Sequence, residues 1–479
     1  MGTSSAFSWH TALFSSWRST QNHVTVSAAE LDFGQPVHET HPHLLKAGEV
    51  TPGITAQEYH SRRARLAQAL SEPNSIAILA AADLKYRSGA VFFPFRQESN
   101  FLYLTGFSEP ESLVVIQKTG PNHDDFVFHL FCRPKNPTSE QWFGPWSGLQ
   151  AAQDVFNADV AGDINNVEAL LTPLLRGAGR IYTDIGSRAN GGSKSLGNRT
   201  DLAVLIRTHT RAIGTSPLQP LVNELRAIKS PAEVANMRKA GQGSGRALTN
   251  AMRRAWSREK DLAAFLAYEY TRQGLDGPAY VPVVAGGTRG CLIHYTQNSR
   301  SLEAGDMVLA DAGGEYGTYI ADITRAWPVN GRFSPAQRDL YEAVLRVQRI
   351  SVALCRESAG MSLDMIHRAT EDGLRDQLAQ LGFDLESTSL QTLFPHHVGH
   401  YVGLDVHDVP GHDRGRLLKA GHCVTIEPGV YVPNDARFPE HFRGLGVRIE
   451  DSVCVDDDSP MVLTTEAVKE VVDIEALRS

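Results

Sequence analysis

Four carboxylates stand in apolar segments where an unpaired charge is expensive. Asp311 ends the run Met307-Val308-Leu309-Ala310, and Asp322 stands inside Tyr319-Ile320-Ala321-Asp322-Ile323-Thr324. Glu427 lies in Val424-Thr425-Ile426-Glu427-Pro428-Gly429, and Glu450 follows Val447-Arg448-Ile449. A carboxylate in such surroundings needs a compensating charge or several hydrogen bonds. Either aspartate alone reads as a capped or hydrogen-bonded residue. The hairpin-like Gly313-Gly314-Glu315-Tyr316-Gly317 between them lets the two strands pair and aim both at one point, and a shared cation explains the pair better. A period of two places Arg448 and Glu450 on one strand face, where a buried salt bridge is the competing reading.

Histidines gather nearby in sequence, in His396-His397-Val398-Gly399-His400 and in Leu404-Asp405-Val406-His407-Asp408. A zinc helix of the HExxH type needs Glu after the first histidine, but His397 occupies that place and Gly399 suits a helix interior poorly. His396, His400 and His407, with His294 in Cys291-Leu292-Ile293-His294-Tyr295, instead suit a wall of loops and strands over a metal. The donor set is rich in oxygen, which favours harder divalent ions, Mn²⁺ before Zn²⁺ or Cu²⁺. Four carboxylates exceed what one catalytic ion needs, so two ions sharing bridging carboxylates are the natural reading. Such a pair, roughly 3.5–4 Å apart, lowers the pKa of water from about 15.7 toward about 7. That activates a nucleophile by on the order of 10 kcal/mol and points to hydrolysis.

The elements that must position these groups follow from pattern. Tyr59 to Leu70 reads as a helix with Arg62, Arg63 and Arg65 outward, and Ser75–Ala81, Leu113–Gln117 and Phe126–Phe131 read as buried strands, an α/β arrangement. A linker-like stretch runs from Gly186 to Thr200, and a helix from Leu202 to Arg211 precedes a break at Ser216-Pro217. Ser230-Pro231-Ala232-Glu233 has the cap, the proline and the returning glutamate of a helix start. Ser334-Pro335-Ala336-Gln337 repeats it. Beyond residue 280, strands are expected at 306–311, 319–327, 423–432 and 447–455, with a helix from Ser362 to Leu381 ended by Gly382. The domain boundary falls between about 215 and 228.

A chain of 479 residues is long enough for two domains, and its charge of −8 argues against a generic nucleic-acid or anionic-membrane surface. No apolar run spans a bilayer. Five widely spaced cysteines, without a CxxC pair, argue against a disulfide framework and a structural zinc site. Residues 186–194 and 241–245 fit neither a phosphate loop, a dinucleotide fingerprint nor a GxSxG elbow. The first 29 residues hold no acidic residue, eleven Ser or Thr and one arginine, which is half of an organellar presequence. Residues 1–43 are therefore set apart as a leader or flexible N-terminus.

Read in order, His294, Asp311, Asp322, His400, Glu427 and Glu450 resemble the signature of pita-bread metallopeptidases, in detail closest to aminopeptidase P. The segments around Asp311, Asp322, His400 to His407, Glu427 and Glu450 carry the resemblance, as does Phe95-Arg96-Gln97-Glu98-Ser99-Asn100-Phe101-Leu102-Tyr103-Leu104-Thr105-Gly106-Phe107. It implies a two-domain fold, α/β and α+β, with a creatinase-like aminopeptidase P N-terminal domain over residues 44–220 and a pita-bread catalytic domain over 221–479. Within the family, Gly34 to His43 and Gly48 to Gly53 look like the mitochondrial members.

The resemblance further implies that Asp311, Asp322, His400, Glu427 and Glu450 hold two Mn²⁺ ions, bridged by Asp322 and Glu450. Glu427 doubles as general base, and His396 and His407 stabilise the oxyanion or the scissile amide. Tyr280, His294, Tyr431 and Arg448 shape the pocket and bind the peptide. The implied enzyme releases one N-terminal residue from peptides or imported mitochondrial proteins, as a matrix-facing dimer or tetramer of the intermediate cleaving type. The alternatives are a strict Xaa-Pro aminopeptidase, a prolidase, a non-catalytic pita-bread binding protein and a cytoplasmic address.

Overall fold

Alternation of apolar residues in the first half of the chain builds one mixed sheet that is buried on both faces. A computed structural model describes residues 32–186, 202–210, 214–385 and 387–478. Ile76–Ala80 is central, parallel to Ile181–Thr183 on one side and antiparallel to Leu113–Lys118 on the other. Phe126–Cys132 and Val160–Asp163 extend one flank, and Thr215–Ser216 closes the other. Period two sends Ile76, Ile78, Leu113 and Val115 against Leu171, Leu175 and Leu202. Ala77, Leu79, Val114 and Ile116 face the opposite way, toward Tyr59, Leu66, Phe101 and Leu104.

Two expectations for this region need correction. Arg65 is exposed, but Arg62 and Arg63 are buried at 1% exposure each, because their helix, Ala56–Ala69, is covered by Ser99–Thr105 and by the catalytic part. Arg62 donates to the Tyr103 carbonyl and to Tyr319 Oη and pairs with Glu58, while Arg63 donates to the Leu104 carbonyl and lies over the Phe128 ring. Of residues 34–43, grouped with the leader, two are buried: Val37 joins the core, and Gln35 donates to the Gly106 carbonyl. Residues 1–31, and 187–200 of the linker-like stretch, lie outside the described residues.

The second half begins at the Ser230 capping box, which opens the helix Pro231–Met252, and the Ser334 box opens Pro335–Ala353 as expected. Ser362 caps Leu363–Gln380. Beside the first of these helices, Met307–Asp311 is paired on both edges, with Val283–Gly286 and with Thr324–Pro328. Cys423–Ile426 pairs with Asp451–Cys454, and Gly429–Tyr431 with Gly446–Arg448. Among the described residues no helix is long and apolar enough to cross a membrane.

Three of the expected long strands are broken, each at a carboxylate. Asp322 lies between Tyr319–Ile320 and Thr324–Pro328, Glu427 between Ile426 and Gly429, and Glu450 between Arg448 and Asp451. Side chains and crossing strands replace the missing ladder bonds. Ser452 Oγ accepts the Asp322 N–H and donates to its carbonyl, the Glu427 N–H reaches the Val398 carbonyl, and the Glu450 N–H reaches that of Thr324. The backbones approach closely here. A Cβ on Gly313 would lie 1.8 Å from the Ala321 carbonyl oxygen, and one on Gly399 would lie 1.9 Å from that of Thr425.

Candidate metal centre

The breaks turn carboxylates that would otherwise alternate across sheets into one cluster. Asp322, His400 and Glu450 each place a ligand atom within 4.8 Å of the other two, and Asp322 and Glu450 are buried. Glu427 Oε1 lies 3.5 Å from His400 Nε2, which is 3.4 Å from Asp322 Oδ2. Asp311 joins through Tyr280, whose hydroxyl lies 2.8 Å from a carboxylate oxygen of both Asp311 and Asp322. The strand register explains this: Asp311 pairs with Thr324 across the ladder, two residues on from Asp322.

Arg448 is buried, and each of its three guanidinium nitrogens has a partner. It donates to Asp311 Oδ2 at 2.6 Å, to Tyr431 Oη at 2.8 Å and, through Nε, to Thr324 Oγ1 at 2.9 Å. Thr324 in turn donates to Glu450 Oε2 at 2.6 Å. The Arg448–Glu450 salt bridge that period two suggested is thus replaced by an Arg448–Asp311 pair, with Thr324 between arginine and glutamate. Thr425 does similar work on the far side, accepting the His400 N–H and donating to Glu427. Sequence reasoning missed both threonines. The signal was period two, since Thr324 stands two residues after Asp322 and Thr425 two before Glu427.

The electrostatics of this set call for a counter-charge. Burial pushes the Asp311 carboxyl up against the pull of Arg448, and lifts Glu427 to about 7, with Asp322 and Asp311 adding to the rise. Burial, then Asp322, Glu427 and Asp311, hold Glu450 far above the carboxylate range. Only Asp322 is held low: burial raises it, but His400, Tyr280 and Arg448 together outweigh that. His400 is correspondingly raised to about 9 by Asp322 and Glu427 despite burial. Like charges this close cannot all ionise alone. Buried, oxygen-rich and short of positive charge, the donor set fits divalent ions of the harder kind.

The histidines divide. His396 hydrogen-bonds Tyr431 Oη at 2.7 Å, sits 3.9 Å from Glu427, and is driven down to about 4 by burial, so it is neutral. His407 is exposed and stands edge-on to His400 with ring centroids 4.4 Å apart; burial of part of the ring, then the charge of His400, lower it. His294 is exposed and close enough to add to that repulsion. His397 turns away, stacking on His367 and facing Asp364. Tyr280 and Arg448 contact the carboxylates directly, and Tyr431 contacts His396 and Arg448.

Two regions of the chain match known families. Residues 235–457 match metallopeptidase family M24, and residues 59–182 match the aminopeptidase P N-terminal domain. The chain is 42% identical over 452 residues to intermediate cleaving peptidase 55 of Saccharomyces cerevisiae, covering 93% of this chain and 88% of that one. It is 39% identical over 469 residues to Xaa-Pro aminopeptidase 3 of Mus musculus, with 93% and 90% covered. A crystal structure of Icp55 from Saccharomyces cerevisiae superposes with a TM-score of 0.84 at 40% identity, over 90% of this chain and 99% of that one.

Proposed function

This chain belongs to metallopeptidase family M24, in its aminopeptidase P branch, and on that premise we propose that it trims one residue from the N-termini of peptides and imported mitochondrial proteins, as an intermediate cleaving peptidase. It is a metalloaminopeptidase of two domains, the second a pita-bread fold. We keep residues 44–220 and 221–479 as the two domains. The observation that carries the reading is the convergence of Asp322, His400 and Glu450 within 4.8 Å, with Glu427 and Asp311 beside them.

In this reading Asp311, Asp322, His400, Glu427 and Glu450 would hold two Mn²⁺ ions. When bound, the ions acidify water and polarise the scissile carbonyl. Glu427, whose carboxyl sits near neutrality in the bare protein, accepts the proton of the attacking water and passes it toward the leaving amine. His407 would donate toward the oxygen and amide that gain charge in the transition state, and the neutral His396, its Nδ1 donating to the His397 carbonyl and its Nε2 on Tyr431 Oη, would support that role through Tyr431. Tyr280, Tyr431 and Arg448 fix the angles of the carboxylates and of His396, and with the exposed His294 they would shape the pocket that binds the peptide. The free amine of the substrate pairs with carboxylates of the site, which limits cleavage to the first bond.

A matrix-facing location and a dimeric or tetrameric state complete the proposal. The acid-free leader and the likeness of residues 34–53 to mitochondrial members support the address. The test is N-terminal sequencing of products from peptides that differ in their first two residues. Loss of one residue from peptides with and without proline in second place supports the reading. Loss only before proline favours a strict Xaa-Pro aminopeptidase, the activity named in the murine relative.

A further inference from the structure

Among the described residues nothing hydrogen-bonds the His407 ring, so its position is set by the backbone that carries it and by its contact with His400. That backbone is unusual. Val409, two residues on, is β-branched yet has a φ of +44°, a conformation that persists only where the surroundings impose it. The turn is held from inside by two buried cations: Arg226 pairs with Asp405 at 2.7 Å and with Asp408, and Lys229 pairs with Asp408 at 2.8 Å. It is held from outside by the N-terminal domain. Arg96 Nη2 donates to the Leu404 carbonyl and to that of Thr318, its Nε lies 3.4 Å from Glu315, and Nη1 lies 3.9 Å from Asp405. Ser99 Oγ donates to Asp405 Oδ1 at 2.6 Å, and Asn100 accepts from Arg226 at 2.6 Å.

We infer that Arg96, a residue of the N-terminal domain, is a positioning residue for the peptidase reaction, acting through the 404–409 turn to place His407. The inference rests on the assignment of His407 above. Arg96 bonds the main chain three residues before His407 and ties it at once to the Thr318 turn, which leads into Asp322. A strained turn without that tie relaxes, and a displacement of about 1 Å at a transition-state donor can cost on the order of a hundredfold in rate. The side chain is 36% exposed, so removing it need not disturb the core.

The experiment is a double-mutant cycle on the full chain loaded with Mn²⁺. Arg96→Gln should lower kcat about tenfold or more with KM changed less than about threefold, and Arg96→Lys, which can still reach the Leu404 carbonyl, should recover part of the loss. In a His407→Ala background the same Arg96→Gln change should cost nothing further. Equal losses in both backgrounds, or a change in KM alone, would overturn the inference while leaving the peptidase reading intact. Should the unaltered chain cut no peptide, that reading fails on its own, and hydrogen exchange over 404–409 still decides: faster exchange in Arg96→Gln supports the tie, and unchanged exchange refutes it.

Discussion

At the scale of single residues, the account turns on charge compensation. Asp322→Asn keeps the shape of the side chain and removes one negative charge; turnover should vanish while the thermal midpoint moves little, and undiminished turnover in that variant would sink the two-ion reading. His407→Ala should lower kcat by about 10²–10³ with a small effect on KM, because its bond strengthens as charge develops. A pH effect follows from His400. Held at about 9 by its carboxylate neighbours, the imidazole is protonated at neutral pH and must lose that proton to ligate a cation. Metal binding should therefore release protons and weaken as pH falls, which calorimetry in buffers of different ionisation enthalpy measures directly. The carboxylates and His400 were legible because each interrupts an apolar run. Thr324 and Thr425 were not, since a threonine in a strand is unremarkable until its neighbours across the sheet are known.

At the scale of elements, the helix starts were readable because capping is local chemistry. Ser230 and Ser334 accept the N–H of Glu233 and Gln337, and those side chains return to the cap N–H, all within four residues. Ser230→Ala should cost about 1 kcal/mol in denaturant titrations. The strand breaks at Asp322, Glu427 and Glu450 were not readable, because what ends each strand is a bond from a distant residue such as Ser452 or the Val398 carbonyl. The turn after His400 gives a second pH effect. Arg226 and Lys229 outweigh burial and hold the Asp408 carboxyl down at about 2, below its ordinary 3.8. A depressed carboxylate stabilises the fold above its unfolded value, and that contribution, about 2 kcal/mol, is lost as pH falls from near 4 to near 2. Asp408→Asn should flatten this acid limb in pH-dependent unfolding, while itself costing about 3–5 kcal/mol by leaving two buried cations short of a partner.

At the scale of the whole molecule, the two parts are joined by buried charge rather than by a linker alone. Arg62, in the first helix, meets Tyr319 and Glu233 of the catalytic part, and Arg96 and Ser99 meet the turn that carries His407. This union explains why Arg62 defeats an outward reading, since the second domain covers it, whereas Arg63 is buried within its own domain against the Leu104 carbonyl and the Phe128 ring. The architecture was legible from the order of elements, whereas the inter-domain contacts depend on pairs more than 150 residues apart, such as Arg62 and Glu233. The most direct measurement is the mass of products when the Mn²⁺-loaded enzyme meets two matched peptides, one beginning Tyr-Ser and the other Tyr-Pro. The expected result is loss of Tyr alone from the Tyr-Ser peptide, abolished by a chelator and restored by Mn²⁺. Cleavage of only the Tyr-Pro peptide would contradict the proposed specificity, and cutting at an internal bond of either would contradict the aminopeptidase itself.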